Sequence, residues 1–224
     1  TSIWRGTFSR SARVAEAEYM DLLHGEATME EELRIETSNG VRALRFRISP
    51  FSFFQVNSLA AERLYAKVHR WVEKIRPTVL YDLYGGSGGI ALTCAGLVPI
   101  VRSIESFEGA THDGIFNALL NRVENIFFAT ERVEKYLQQL RESGGFEPGA
   151  TAIVDPPRSG MVPKATQRLL DTAPKHLLYV SCKPEQTANE LPELLKRYRI
   201  DSIEAVDMFP HTRHVEALIG MTAR

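Results

Sequence analysis

The chain has 224 residues, of which 44% are hydrophobic and 25% charged, which is typical of one globular domain with a small appendage and excludes a collagen-like or low-complexity protein. Its 27 lysines and arginines nearly balance 28 aspartates and glutamates, and the formal net charge of -1 excludes a general polycationic binder of nucleic acids. No run of about 18 apolar residues occurs, so we expect neither a membrane-spanning nor a secreted protein.

The two cysteines, Cys94 and Cys182, are too few for a disulfide framework or for an all-cysteine zinc or iron–sulfur site. We therefore expect a cytoplasmic protein with free thiols and with no metal bound by this chain. The sequence begins at Thr1 without an initiator methionine, from which we expect an N-terminal portion to be missing. The oligomeric state is not predicted by any feature of the sequence.

Residues 1–57 combine an alternating polar and apolar segment at 43–48 with turn-forming residues at 38–40. This pattern predicts a small β-rich subdomain. An amphipathic helix is predicted from Ser58 to about Lys74, where the periodicity changes. We therefore divide the chain into a β-rich subdomain over 1–57 and a larger domain over 58–224.

Short apolar runs alternate with helical patterns from residue 78 onward, which predicts an α/β domain with a doubly wound, mostly parallel sheet. The segment 207–214 is too short for a crossover helix, so the two runs that flank it are predicted to pair antiparallel at one edge of the sheet. The predicted strands are 79–83, 100–104, 126–129, 152–154, 177–180, 203–206 and 215–221.

Ligands of open parallel sheets bind beyond the carboxyl ends of the strands. The first strand is followed by Gly85, Gly86, Gly88 and Gly89, and glycines there allow backbone amides to approach a ligand at a helix N-terminus. About twenty residues further on, Glu105 ends the next strand, where a carboxylate can accept both ribose hydroxyls of an adenosine. Together these features indicate a nucleoside-containing cofactor. A tight turn without a ligand and a solvated glutamate are the alternatives.

Cys182 lies just beyond the strand 177–180, beside Lys183 and Pro184. We expect a partly exposed thiol whose pKa is lowered by the neighbouring ammonium group and by helix N-terminal amides, a setting that favours a nucleophile. The alternative is a buried cysteine that acts as a small hydrophobic residue. That is our interpretation of Cys94, which lies within an apolar helix.

The strand 152–154 is followed by Asp155, two consecutive prolines and Arg158. The prolines stiffen the loop and hold the preceding aspartate in an extended conformation, so that its carboxylate can face a bound ligand. The alternative is a rigid loop in which Asp155 merely caps a neighbouring segment.

Glu216 enters an otherwise apolar strand near the C-terminus. If it is partly buried, its pKa is raised into the range of a general base. The alternative is a carboxylate on an edge strand that faces water. The nearby His211 and His214 do not predict a metal site, because no third ligand follows at a suitable spacing.

The order and spacing of five motifs resemble those of the S-adenosylmethionine-dependent RNA uracil-C5 methyltransferases, which make 5-methyluridine in tRNA or ribosomal RNA. The resemblance extends from about Phe51 to the C-terminus. The motifs are Phe54-Gln55-Val56-Asn57, Asp82-Leu83-Tyr84-x-Gly86-x-Gly88, Asp155-Pro156-Pro157-Arg158-x-Gly160, Ser181-Cys182-Lys183-Pro184 and Phe209-Pro210-His211-Thr212-x-His214-Val215-Glu216.

The resemblance implies a Rossmann-like methyltransferase domain over 58–224, with S-adenosyl-L-methionine as cofactor and an RNA, either tRNA or rRNA, as partner. It implies that Cys182 is the nucleophile and Glu216 the base of a reaction that passes through a covalent cysteine–uracil adduct. It further implies that the missing N-terminal portion holds an RNA-binding domain. The residues that it assigns to the cofactor and uracil site are Gln55, Tyr84, Gly86, Gly88, Glu105 and Asp155.

The sequence departs from the family pattern at Gly85, where a small side chain is usual, at Lys183, where asparagine is usual, and at Gly89, which is often polar. A Gly-Asp pair of the family is replaced by Glu131-Arg132, so the adenine pocket stays unassigned. These departures keep open a non-catalytic RNA-binding module on the same fold.

An NAD-dependent dehydrogenase of Rossmann type also fits the glycine turn. That alternative offers no role for Cys182 and Glu216 as a pair. The class of RNA and the uridine that would be modified are not predicted by the sequence.

Overall fold

Eleven strands and six α-helices make up the part of the chain that this computed structural model describes, which comprises residues 2–7, 19–50 and 52–224. Residues 1 and 8–18 of the predicted N-terminal subdomain lie outside the described residues, as does Phe51, where the family resemblance begins. The strands are β1 (Ile3–Thr7), β2 (Tyr19–His24), β3 (Met29–Thr37), β4 (Gly40–Ile48), β5 (Val79–Leu83), β6 (Ile100–Glu105), β7 (Ile126–Thr130), β8 (Thr151–Val154), β9 (His176–Ser181), β10 (Tyr198–Val206) and β11 (Glu216–Ala223). The helices are α1 (Ser58–Ile75), α2 (Gly89–Cys94), α3 (Glu108–Leu120), α4 (Val133–Glu142), α5 (Pro163–Thr172) and α6 (Pro184–Leu194), with a short 3₁₀ helix at Ala95–Leu97.

Seven of these strands form the central sheet in the order β10-β11-β9-β8-β5-β6-β7. The five strands from β9 to β7 run parallel, whereas β11 lies between β9 and β10 and is antiparallel to both. The predicted doubly wound sheet with an antiparallel C-terminal edge pair is therefore confirmed. Two further pairs, β1 with β2 and β3 with β4, are antiparallel hairpins outside this sheet.

Both faces of the central sheet are covered, which is why β5 and β8 are buried along their whole length. One apolar core lies on the side of α1, α2 and α3, and the β3–β4 hairpin contributes Leu33, Leu44 and Phe46 to it. The other core lies on the side of α4, α5 and α6. The hairpin of the predicted N-terminal subdomain thus shares a core with the larger domain, and the boundary between residues 57 and 58 stays a prediction.

Two asparagines one helical turn apart attach α3 to the exposed edge of β4. The Asn117 side chain accepts a hydrogen bond from the Arg47 amide (2.7 Å) and donates one to the Arg47 carbonyl (3.2 Å). Asn121 makes the same two bonds with Arg45, at 2.9 and 2.7 Å. The same two bonds form twice because residues four apart on the helix and residues two apart on the strand are separated by similar distances, of roughly 6 Å. Side-chain amides therefore continue the hydrogen bonding of the hairpin edge and fix the hairpin to α3.

Among the described residues, no helix has both the length and the apolar character that crossing a membrane requires.

Candidate active site

Cys182 and Glu216 meet across the antiparallel pair formed by β9 and β11. The register ends with Ala217 opposite Ser181, so Glu216 and Cys182 lie at the same end of this pair, and the Glu216 carboxylate raises the pKa of the Cys182 thiol. Two residues that the sequence singled out separately are therefore neighbours at the ligand-binding edge of the sheet.

The Glu216 side chain is buried, with a relative exposure of 5%. Burial raises its pKa to about 7, and the Arg158 guanidinium opposes this rise. Within the described residues its Oε2 atom has no hydrogen-bond partner. A buried carboxylate oxygen without a partner is costly, and such groups are typical of functional sites. The alternative of a carboxylate that faces water is excluded by this burial.

The Cys182 thiol is partly exposed, as the sequence predicted. Its pKa, however, is raised by burial and by the carboxylates of Glu216 and Asp155, while Arg158 lowers it. The expected lowering by Lys183 is therefore wrong, because the charges that act on the thiol come from β11 and from the loop after β8. Cys94, in contrast, is fully buried at the end of α2, as expected of a small hydrophobic residue.

Asp155 follows β8 and joins this group of acids. Its amide donates to the Leu83 carbonyl (3.2 Å), which fixes the start of the loop against the end of β5. Burial and the charges of Glu216 and Asp82 raise its pKa well above the usual range. The site therefore concentrates carboxylates in a poorly solvated place, where their charged forms are disfavoured.

Two residues of this group were not singled out by sequence reasoning. Asp82 is fully buried, accepts a hydrogen bond from the Ala91 amide (3.0 Å) and has its pKa raised to about 7 by burial. Tyr65, on α1, is buried among the same acids: desolvation and the charges of Asp155, Asp82 and Glu216 raise the pKa of its hydroxyl group. The Tyr65 hydroxyl also occupies the space that a Cβ atom on Gly89 would need.

The glycine turn after β5 takes a conformation that few side chains allow. Tyr84, Gly86 and Gly88 have positive φ angles of 68°, 52° and 87°. A non-glycine residue such as Tyr84 adopts this region only at a cost, which is most often found at functional sites. Gly85 has no room for a Cβ atom because the Ser103 hydroxyl faces it. A side chain at this position would therefore require the Ser103 side chain to move.

Glu105 lies against the glycine turn, at the end of β6. Its Oε2 atom accepts a hydrogen bond from the Gly86 amide (3.1 Å), and Oε1 accepts from the Phe107 amide (2.7 Å) and the Ser106 hydroxyl (3.1 Å). A carboxylate offers about four acceptor positions, so at least one stays available to a ribose hydroxyl. The structure thus places two predicted cofactor contacts, Gly86 and Glu105, side by side.

Gln55 belongs to a segment that contacts both the glycine turn and the loop before β11. On one side the Ser87 hydroxyl donates to the Phe53 carbonyl (3.5 Å), and on the other the Asn57 amide group donates to the Met208 carbonyl (2.9 Å). Gln55 itself is buried. The segment therefore runs from the glycine turn to the loop that precedes Glu216.

His211 and His214 lie in that same loop. Within residues 2–7, 19–50 and 52–224, no group of three histidine, cysteine or acidic side chains is placed to hold a metal ion. The His214 Nδ1 atom lies 3.3 Å from the Arg158 Nη2 atom, so this loop contacts the loop after β8.

A doubly wound sheet with a glycine turn after β5, an acid at the end of β6 and an antiparallel last strand is a Rossmann-like fold of the kind found in methyltransferases. A solved structure supports this class: the tRNA (uracil-54, C5)-methyltransferase of Pyrococcus abyssi in complex with S-adenosyl-L-homocysteine. It superposes with a TM-score of 0.74 and 31% identity, over 99% of this chain and 50% of that one.

The tRNA (uracil-5-)-methyltransferase family model matches residues 14–224, and the chain belongs to this family. An RNA methyltransferase of Caldanaerobacter subterraneus is 38% identical over 205 residues, which are 91% of this chain and 42% of that protein. The 23S rRNA (uracil(747)-C(5))-methyltransferase RlmC of Vibrio cholerae is 37% identical over 171 residues, 76% of this chain and 44% of that protein. The chain thus spans about two fifths of the length of these curated relatives.

Proposed function

We propose that the chain contains the catalytic domain of an enzyme that transfers a methyl group from S-adenosyl-L-methionine to carbon 5 of a uridine in RNA, through a transient covalent bond to Cys182. The observation that carries this proposal is a thiol that interacts electrostatically with a buried, unpartnered carboxylate at the ligand-binding edge of the sheet. Membership of the uracil-5-methyltransferase family supports it.

The residues around the glycine turn fit the cofactor. Gly86 and Gly88 leave the turn without side chains, so that a ligand can approach its backbone, and the free acceptor position of Glu105 suits a ribose hydroxyl. When bound, S-adenosyl-L-methionine supplies an electrophilic methyl group on a sulfonium. We assign the remaining contacts with the cofactor and the uracil to Gln55, Tyr84 and Asp155.

The chemistry requires both members of the pair. Carbon 5 of uracil is a poor nucleophile, so the thiolate of Cys182 adds to carbon 6 and forms a C–S bond that turns the ring into an enolate. After carbon 5 has gained the methyl group, the Glu216 carboxylate removes the remaining proton from that carbon. The electron pair of the broken C–H bond then expels the thiolate, which restores the double bond of the ring.

The raised pKa values shape this sequence of steps. The Cys182 thiol is protonated at neutral pH, so addition requires a base, and the carboxylates of Asp155 and Glu216 are the acidic groups that face it. With a pKa of about 7, Glu216 is close to the optimum for proton transfer near neutral pH. The same burial that is unfavourable for the resting protein therefore suits the proposed base.

A stacked uridine cannot present its face to a half-buried thiol, so the target base must be unstacked, at a cost of a few kcal/mol that RNA contacts must offset. Three exposed cations suit phosphate groups: Arg158 and Lys183, which line a crevice with Cys182, and Arg213, which lies in the loop before Glu216.

The test compares cells that lack the protein with cells complemented by variant alleles. Mass spectrometry of digested tRNA and rRNA should show the loss of one 5-methyluridine, which the wild-type and Cys94→Ser alleles restore and the Cys182→Ala allele does not. Restoration by Cys182→Ala, or the loss of no 5-methyluridine at all, would contradict the proposal. If the protein stabilises an RNA without changing its 5-methyluridine content, the result would instead favour the non-catalytic RNA-binding module.

A further inference from the structure

Glu190, on α6, binds three groups from different elements. Its Oε2 atom accepts hydrogen bonds from the Tyr179 hydroxyl (2.9 Å) and from the Met161 amide (3.3 Å), and its Oε1 atom accepts one from the Gln186 side chain (3.2 Å). Gly160 packs so closely on this carboxylate that a Cβ atom there would overlap with it. The carboxylate therefore joins β9, α6 and the loop after β8.

The loop that Glu190 holds carries two residues of the site, Asp155 and Arg158. It begins at Asp155, whose amide is fixed to the end of β5, and it turns where the Gly160 amide donates to the Pro157 carbonyl (2.8 Å). Gly160 has a φ angle of 80°, so the turn depends on a glycine there. Glu190 thus fixes the far end of a turn on which Arg158 is the exposed charged side chain.

Arg158 faces the reacting pair. It lines one crevice together with Cys182 and Lys183, and it contacts His214 on the loop that leads to Glu216. Its guanidinium lowers the pKa of both the thiol and the Glu216 carboxylate. The other charged groups that act on the thiol are the carboxylates of Glu216 and Asp155, so Arg158 is the cation that balances them.

We propose that Glu190 is a positioning residue: by holding the turn at 157–161, it places the Arg158 guanidinium beside the Cys182–Glu216 pair. Glu190 touches none of the reacting atoms of the proposed mechanism. The significance of this placement for methyl transfer rests on the proposed function, whereas its effect on the thiol does not.

The experiment measures the rate of Cys182 alkylation by iodoacetamide against pH, read at the Cys182 peptide by mass spectrometry. Glu190→Ala and Arg158→Ala should each move the midpoint upward by about half a pH unit or more, because the thiolate loses a nearby cation. The double variant should move it no further than Arg158→Ala alone. Glu193→Ala, on the same helix but paired with Lys196 at the surface, is the matched control and should leave the midpoint unchanged.

Circular dichroism establishes that each variant is folded, and Glu190→Leu, which keeps most of the bulk of the side chain but accepts no hydrogen bond, replaces Glu190→Ala if the latter does not fold. An unchanged midpoint in the folded Glu190 variant would overturn the inference. Shifts that add fully in the double variant would also overturn it, because they would show that Glu190 acts independently of Arg158. Since alkylation needs neither RNA nor cofactor, an absence of methyl transfer would count against the proposed function alone.

Discussion

Cys182 and Glu216 lie at the same end of the β9–β11 pair because β11 enters the sheet antiparallel to β9. In this direction the first residue of β11 lies at the carboxyl end of β9, which is the edge where parallel sheets bind their ligands. A parallel last strand would place the same glutamate at the opposite edge. The antiparallel insertion therefore brings the proposed base, Glu216, close to the proposed nucleophile, Cys182, which lies far from it in the sequence.

Glu216→Gln should make the protein more stable at about pH 8 by on the order of 1 kcal/mol. Burial raises the pKa of Glu216 from 4.5 to about 7, so its contribution to stability is present below pH 4.5 and is lost as the pH rises through 7. Glutamine carries no such charge. Urea unfolding should therefore show a gain at about pH 8 that shrinks at about pH 4.5.

The control for this comparison is Glu193→Gln, which removes an exposed carboxylate from α6. It should change stability little at either pH. A gain of equal size at both pH values for Glu216→Gln would show that the charge of the carboxylate is not the cause.

Asp155→Asn should lower the pH midpoint for alkylation of Cys182. The carboxylate of Asp155 is one of the negative charges that raise the pKa of the thiol, and asparagine removes it with little change of shape. The measurement is again the rate of iodoacetamide alkylation against pH. Asp171→Asn removes a distant surface carboxylate that pairs with Arg141 and should have no effect. A midpoint that rises in Asp155→Asn would contradict the conclusion that the Asp155 carboxylate raises the pKa of the thiol.

Asn117→Ala should destabilise the protein by about 1–3 kcal/mol, because it leaves buried backbone groups without hydrogen-bond partners. The lost partners are the amide and carbonyl of Arg47 and the carbonyl of Ser87. Chemical denaturation measures this change. Asn189→Ala on α6, where the side chain is exposed, is the matched control and should change stability by less than about 0.5 kcal/mol. Equal effects of the two substitutions would show that Asn117 does not attach the hairpin.

S-adenosyl-L-homocysteine should raise the melting temperature of the protein, and NAD should not. The Glu105→Ala variant should lose most of this stabilisation, because the carboxylate beside the glycine turn is the proposed ribose acceptor. Glu142→Ala, which changes an exposed carboxylate at the end of α4, is the control. Stabilisation by NAD alone would favour the dehydrogenase alternative.

The central strands were predictable because their apolar runs are short, continuous and bounded by helical patterns. The predicted segment 79–83 coincides with β5, and the helix predicted from Ser58 to Lys74 corresponds to α1. The edge strand β10 was predicted only over 203–206, whereas it begins at Tyr198. Its first half alternates buried residues with exposed charged ones, because an edge strand is solvated on one side, and a continuous apolar run therefore does not mark it.

The candidate site was predictable where motifs mark strand ends, as for Cys182 and Glu105. The direction of the thiol pKa was not, because Lys183 is adjacent in sequence but Asp155 and Glu216 face the thiol in space. Asp82 offered a signal, since it is a charged residue inside an apolar strand. Tyr65 offered none, because an aromatic residue on the apolar face of a helix is ordinarily part of the core.

The most direct test of the paired roles of Cys182 and Glu216 traps the covalent intermediate. The Glu216→Gln variant is incubated with RNA and S-adenosyl-L-methionine, separated on a denaturing gel, and digested for mass spectrometry. The account predicts a protein–RNA band whose digestion leaves a methylated uridine nucleotide on the Cys182 peptide, and no band when Cys182→Ala is added. A Glu216→Gln variant that turns over normally, or an adduct on any other residue, would contradict it.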